Sequence, residues 1–79
     1  MENELKLKKL FAEAFGVDES IIVDELTYKS IEQWDSLAHM ILITLIEEAF
    51  NIMIETEDVI DMSSFLKAKE ILKKYKVEF

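Results

Sequence analysis

The 79-residue sequence contains no cysteine and no proline, and its only glycine is Gly16. Without cysteine, the chain can form neither a disulfide framework nor a thiolate metal site. An all-β domain needs turn residues such as glycine and proline at each hairpin, so their scarcity favours a helical fold. A glycine-rich phosphate loop is excluded as well. The acidic stretch DESIIVDE lacks the alternating ligands and the glycine of a calcium loop, so we predict no metal site.

Long hydrophobic runs are also missing. The longest apolar cluster, residues 40–46, is interrupted by Thr44 and is too short to cross a bilayer. The N-terminal stretch MENELKLKKLF has no apolar segment typical of a signal peptide. We therefore predict a soluble, cytoplasmic protein without membrane insertion. Its length corresponds to one small domain, which we assign to residues 1–79.

The net charge of -8 is unevenly distributed along the chain. Residues 16–62 hold twelve acids and one lysine, whereas residues 63–79 carry a net charge of +3. Such a chain would repel nucleic acid over its central part, so we expect no nucleic-acid partner. An acidic centre suits basic partner surfaces, or it serves solubility alone.

Four segments show helical patterns, and together they predict an all-α four-helix bundle with three longer helices and a short third one. The segments are residues 3–15, 35–50, 55–61 and 63–77. Gly16 and Asn51 are expected to end the first two helices. The residues expected to cap the helix starts are Asn3, then Asp35 or Ser36, then Thr56, then Ser63 or Ser64.

Apolar residues mark the expected core. In the second helix, the central one, they share one broad face: Leu42, Ile43, Ile46, Ala49 and Phe50. The fourth helix has an apolar side made of Phe65, Leu66, Ala68, Ile71, Leu72 and Tyr75. The long connector at residues 17–34 is expected to lie across the bundle, with a helical turn near DESIIV. Its anchoring side chains would be Ile21, Ile22, Val23, Leu26, Tyr28, Ile31 and Trp34.

The residue with the most chemical interest is Ser36. A serine hydrolase would need a base near it, but the only histidine, His39, lies three residues further along the same helix, and no G-x-S-x-G elbow is present. We therefore predict no catalytic residues and interpret His39 as a partly buried packing residue. At a helix start, Ser36 would be exposed in a field that favours an attached phosphate. The simpler interpretation is an ordinary N-cap.

The wider pattern resembles the acyl carrier protein family, in which D-S-L opens an apolar helix that ends in E-E-F-x-I. The matching residues here are Asp35, Ser36, Leu37, Glu47, Glu48, Phe50 and Ile52. The resemblance implies that Ser36 carries 4'-phosphopantetheine, transferred from coenzyme A by a phosphopantetheinyl transferase, with Asp35 and Leu37 completing the motif. The arm's thiol would hold an acyl group as a thioester. The protein, expected to be a monomer, would not be an enzyme but would present its cargo to enzymes of acyl loading, modification or transfer.

The chain departs from the fatty-acid type of carrier around the serine. Gln33 stands where such members commonly have glycine, and Ile41 stands where they often have glutamate. The acidic stripe is thinned, which favours more apolar partners and a specialised pathway. The predicted docking residues are Trp34, Met40, Ile41, Glu47 and Glu48. Trp34 could instead anchor the connector or pack under the arm. The alternative function is a protein-interaction module in which Ser36 is only an N-cap.

Overall fold

The computed structural model describes residues 2–79, which form four α-helices and one short 3₁₀ helix. Helix α1 spans Glu2–Phe15, α2 spans Ser36–Phe50, α3 spans Thr56–Asp61 and α4 spans Phe65–Lys73. The 3₁₀ helix, Glu19–Ile21, lies in the connector between α1 and α2, where a helical turn was predicted. The predicted all-α bundle with a short third helix and a long first loop is confirmed.

The first two helices end where the sequence predicts. Gly16 adopts a left-handed backbone with φ 66°, and the N–H of Val17 donates to the carbonyl of Ala12 at 3.1 Å. Asn51 adopts the same conformation at φ 56°, and the N–H of Ile52 donates to the carbonyl of Glu47 at 3.1 Å. Both ends satisfy carbonyls of the last turn that would otherwise lack donors.

The helix starts agree less well with the predicted caps. Ser64 caps α4, since its hydroxyl accepts a hydrogen bond from the N–H of Lys67 at 2.9 Å. Asn3 does not cap α1, which begins at Glu2; its side-chain amide donates to the carbonyl of Glu78 at 2.9 Å. Thr56 does not cap α3 either, because its backbone is already helical and Glu55 occupies the cap position without a side-chain hydrogen bond.

The core joins all four helices and the connector. Leu42, Ile43 and Ile46 of α2 are buried, as predicted, in one cluster with Leu7 and Phe11 of α1. The buried residues of α4 are Phe65, Ala68, Ile71 and Leu72, and those of the connector are Ile22, Leu26 and Trp34. Burying each large apolar side chain stabilises the fold by about 1.5–3 kcal/mol. The prediction was wrong for Leu66, Ile21 and Val23, which are exposed.

The connector is fixed to the start of α4 by backbone hydrogen bonds. The N–H of Tyr28 donates to the carbonyl of Ser63 at 2.8 Å, and the N–H of Phe65 donates to the carbonyl of Leu26 at 3.1 Å. Between these bonds, Thr27 and Ser64 form an isolated antiparallel pair. The connector is therefore held by its buried apolar side chains and by its backbone hydrogen bonds. These contacts together fix the residues that precede α2.

Ion pairs add a second attachment. Lys69 of α4 lies 3.3 Å from a carboxylate oxygen of Glu4 in α1 and 2.8 Å from one of Asp24 in the connector. Burial works against the charge of Lys69, but the two carboxylates together outweigh it and raise the pKa of the amine. None of the helices within residues 2–79 is long and apolar enough to cross a membrane.

Candidate functional site

Ser36 is the first residue of α2, and its side chain is exposed. The preceding residue, Asp35, has an extended backbone and is the N-cap; its Oδ1 accepts a hydrogen bond from the N–H of Ala38 at 2.9 Å. The interpretation of Ser36 as an N-cap is therefore wrong. The physical reason is that only the residue just outside the helix can turn its side chain back onto the free N–H groups. The hydroxyl of Ser36 has no capping role.

The Ser36 hydroxyl has one polar neighbour from outside α2, in the connector. The phenol oxygen of Tyr28 lies 3.0 Å from Ser36 Oγ, and either oxygen can donate the hydrogen. Because the connector backbone is tied to the start of α4, the position of the phenol is determined by the fold as a whole. This contact was missed at the sequence level, since no local pattern relates Tyr28 to Ser36.

His39 is half-buried and has both ring nitrogens engaged. The indole Nε1 of Trp34 donates to His39 Nδ1 at 3.0 Å, and His39 Nε2 lies 2.8 Å from the carbonyl oxygen of Val59. Because Nδ1 accepts, the neutral ring carries its proton on Nε2 and donates it to Val59. His39 thus joins the connector, α2 and α3, as its predicted packing role implies. It is not hydrogen-bonded to Ser36, so the base–nucleophile pair of a serine hydrolase is not formed.

Trp34 is completely buried, with 0% of its surface exposed. Its ring stacks on Phe15 at a centroid distance of 4.9 Å and meets Phe11 edge-on at 5.6 Å. The prediction that Trp34 contacts partners is therefore corrected, because the side chain offers no surface to them. The other interpretation, that Trp34 anchors the connector, is confirmed by this packing.

An apolar groove runs from Ser36 toward α3. It has a volume of about 320 Å³, and its lining is mostly apolar. The residues that line it are Tyr28, Ser36, His39, Met40, Val59, Ile60, Met62 and Ser63. The hydroxyl at the start of α2 thus opens directly onto a groove between α2 and α3.

The exposed side of α2 near Ser36 is largely apolar. Leu37, Met40 and Ile41 are exposed, Leu37 to 72%. Glu48 is exposed further along the helix. The carboxylate of Glu47, by contrast, accepts a hydrogen bond from the N–H of Ile54 at 2.9 Å, so it helps to hold the chain that leads into α3. The first turns of α2, residues 36–43, therefore carry exposed apolar side chains and no acid.

Helix α3, which forms one wall of the groove, is held by a buried carboxylate. Asp58 Oδ1 lies 2.6 Å from Lys74 Nζ, and Oδ2 accepts a hydrogen bond from the phenol of Tyr75 at 2.6 Å. Hydrogen bonds from Lys74 and Tyr75 hold the pKa of Asp58 below its ordinary value, despite its burial. The same carboxylate raises the pKa of Tyr75, whose oxygen also accepts from the N–H of Glu55 at 3.0 Å.

A four-helix fold with an exposed serine at the start of its central helix is the architecture that the D-S-L pattern implied. No protein-family model matches the chain. The chain is 37% identical over 76 residues to an acyl carrier protein of Buchnera aphidicola subsp. Baizongia pistaciae (strain Bp), and the alignment covers 95% of this chain and 97% of that protein. The chain therefore belongs to the acyl carrier protein family, a family of carriers rather than catalysts. The predicted family is confirmed.

Proposed function

We propose that this chain carries an acyl group as a thioester on a 4'-phosphopantetheine arm attached to Ser36. The observation that carries the proposal is the separation of roles at the start of α2. Asp35 caps the helix, and the exposed hydroxyl of Ser36 is left available next to an apolar groove. A phosphopantetheinyl transferase would join Ser36 Oγ to the phosphorus of the arm, with the rest of coenzyme A as leaving group. The hydroxyl proton would pass to the transferase or to water.

The residues around Ser36 fit a phosphodiester. The N–H groups of the first helical turn point out of the helix start, and those of Ser36 and Leu37 have no carbonyl of α2 to bond to. With the partial positive charge of the helix dipole, they favour an anion at this position. The arm would supply the reactive thiol, which the chain itself lacks because it contains no cysteine.

The partner surface would lie on α2 beside Ser36. Met40 and Ile41 are exposed, and Glu48 adds an exposed negative charge about two helical turns further along. Of the docking residues predicted from the sequence, these three are the best placed to contact a partner. Glu47 would contribute less, since its carboxylate already binds the N–H of Ile54. Such a surface suits acyl-loading, acyl-modifying or acyl-transfer enzymes with a partly apolar face, as expected in a specialised pathway. A cytoplasmic location and a monomeric state stay predictions from the sequence.

Intact-mass spectrometry tests the proposal. The unmodified protein is incubated with coenzyme A, magnesium and a phosphopantetheinyl transferase of broad specificity. We expect the wild type to gain the mass of one phosphopantetheine and Ser36→Ala to gain none. The matched control is Ser63→Ala, which removes an exposed hydroxyl from the lining of the same groove and should be modified like the wild type.

Two outcomes would contradict the proposal. One is a wild-type chain that gains no mass, which would favour the interaction module over the carrier. The other is a Ser36→Ala chain that still gains the group, which would place the attachment elsewhere.

A further inference from the structure

We infer that Tyr28 is a positioning residue for the phosphodiester on Ser36, to which its phenol donates a hydrogen bond. The inference rests on the proposed attachment at Ser36. It begins with the distance of 3.0 Å between the phenol oxygen of Tyr28 and Ser36 Oγ, two atoms from residues eight positions apart. The hydroxyl, rather than the ring, is the feature that needs an explanation, because a phenylalanine would pack equally well in the core.

The backbone of Tyr28 is fixed by two separate attachments. Its N–H donates to the carbonyl of Ser63 at 2.8 Å, just before α4 begins. The next residue, Lys29, has a left-handed backbone at φ 68°, and its N–H donates to the carbonyl of Trp34 at 3.2 Å. The chain on both sides of the tyrosine is therefore determined by hydrogen bonds that do not involve Ser36.

The ring of Tyr28 is fixed as well. It meets the ring of Trp34 edge-on at a centroid distance of 6.1 Å and that of His39 at 5.6 Å. Both neighbours are held in turn by the hydrogen bond between Trp34 Nε1 and His39 Nδ1. Because the ring is half-buried against these side chains, the phenol oxygen reaches Ser36 in a defined direction rather than as a freely rotating surface group.

Modification of Ser36 would determine which of the two oxygens donates the hydrogen bond. The unmodified pair has two hydroxyls, and either can donate. Once Ser36 Oγ is joined to phosphorus, it has lost its hydrogen, so the phenol of Tyr28 becomes the only donor of the pair. The phosphodiester adds anionic oxygens close by, and hydrogen bonds to an ionised acceptor are shorter and stronger than neutral ones. The amine of Lys29 lies 5.5 Å from the centre of the Tyr28 ring and adds a positive charge over its face.

The arm would consequently leave Ser36 in a restricted direction. The phenol and the free N–H groups of the first helical turn would hold the phosphodiester between them. Tyr28 also lines the apolar groove toward α3, so the arm would begin its course along that groove. Without the phenol, the phosphodiester would keep the helix start as its only fixed neighbour and would move more freely.

Phosphorus-31 NMR of the loaded protein tests the inference, with Tyr28→Phe compared with the wild type. The substitution keeps the ring and removes only the hydroxyl. We expect the phosphodiester resonance of Tyr28→Phe to move by more than its linewidth and its transverse relaxation to slow, as for a more mobile group. Backbone relaxation of α2 should stay unchanged. The matched control is Tyr75→Phe, which removes the other tyrosine hydroxyl, bound to Asp58, and should leave the phosphorus signal in place.

A second measurement on the wild type covers the case of a Tyr28→Phe chain that folds poorly. With tyrosine labelled at Cζ with carbon-13, the resonance of Tyr28 should move when Ser36 is modified, whereas that of Tyr75 should not. Identical Tyr28 resonances before and after loading, or superimposable phosphorus signals in wild type and Tyr28→Phe, would overturn the inference while leaving the carrier function intact. A wild type that cannot be loaded at all would instead overturn the proposed function.

Discussion

The two residues at the start of α2 have different surroundings, and the proposed function gives them different roles. Asp35 accepts the hydrogen bond that the helix needs, and Ser36 remains exposed. The sequence alone did not decide which of the two residues is the N-cap, because both side chains are good caps. A shift of one residue at a helix end also leaves the apolar pattern unchanged. Under the proposed function, we expect that stability and attachment of the arm can be altered separately at these adjacent positions.

Asp35→Ala is expected to destabilise the protein by about 1 kcal/mol, since the N–H of Ala38 loses its partner. Ser36→Ala should cost clearly less, because no capping bond is removed. Urea unfolding, monitored by circular dichroism, measures the free energy of unfolding of both variants. Glu48→Ala, which removes an exposed acid elsewhere on α2, is the control for charge alone. A Ser36→Ala variant less stable than Asp35→Ala would show that the serine is the working cap.

His39→Phe should be destabilising although the new side chain is apolar and similar in shape. The indole N–H of the buried Trp34 and the carbonyl of Val59 would both lose their partner. An unsatisfied buried polar group costs about 1–3 kcal/mol. The free energy of unfolding in urea measures the effect, with Met40→Leu, an exposed neighbour on the same helix, as the control. A His39→Phe protein as stable as the wild type would contradict this role.

At the scale of single residues, the contacts between side chains from different elements were the hardest features to predict from the sequence. Trp34 stands next to the exposed Asp35 and Ser36, yet its side chain points into the core, because residues before a helix do not follow helical spacing. The contact between Tyr28 and Ser36 depends on the pairing of the connector with α4, which no local pattern encodes. The packing role of His39 was predictable from its place on α2, whereas its two partners were not.

At the scale of whole helices, the order and the ends were the predictable features. Gly16 and Asn51 end α1 and α2 because their left-handed backbone conformations are easiest for these residue types. The start of α3 was not predictable, since this helix has only six residues and no side-chain cap of its own. It is held instead by the residues that directly follow α4, through the bonds that Lys74 and Tyr75 make with Asp58.

The attachment of α3 predicts a specific dependence of stability on pH. The pKa of Asp58 lies below its ordinary value of 3.8 in the folded state, so its contribution is complete above that value. It is lost as the pH falls through the lowered pKa, because the unfolded chain then binds more protons. Relief of repulsion among the twelve acids of residues 16–62, which the charge pattern predicts, acts in the opposite direction.

We therefore expect the wild type to lose more stability than Asp58→Asn between about pH 5 and pH 3. Urea midpoints measured across this range give both slopes. Asp58→Asn should keep some loss at low pH, because the pKa of Asp18 is also lowered, by its hydrogen bonds with Ser20. Parallel curves for the two proteins would show that the ionised form of Asp58 does not stabilise α3.

Across the whole molecule, the net charge of -8 and the apolar surface near Ser36 imply two contributions to partner binding. Exposed charges are screened beyond about 10 Å at 0.1 M salt, so binding of a basic partner should weaken as salt is raised. Contacts of exposed apolar residues such as Ile41 should persist. We expect the Kd for a transferase to rise with salt, and Ile41→Ser to raise it further by a similar factor at low and high salt.

Fluorescence anisotropy with the labelled carrier measures these affinities, and Leu66→Ser, exposed on α4, is the matched control for an apolar loss away from Ser36. An affinity that does not change with salt would show that exposed charges do not contribute to binding. An Ile41→Ser carrier that binds like the control would show that the apolar side chain of Ile41 does not contribute to binding.

The pairing between the connector and α4 also affects when the surroundings of Ser36 form during folding. Leu26 and Tyr28 have their backbone partners at Ser63 and Phe65, more than thirty residues further along the chain. Contacts between positions so distant in sequence form late, because a long loop must close first. During synthesis, the environment of Ser36 can be completed only after the start of α4 has left the ribosome. Under the proposed function, a nascent chain without α4 would therefore present an incomplete site to the transferase.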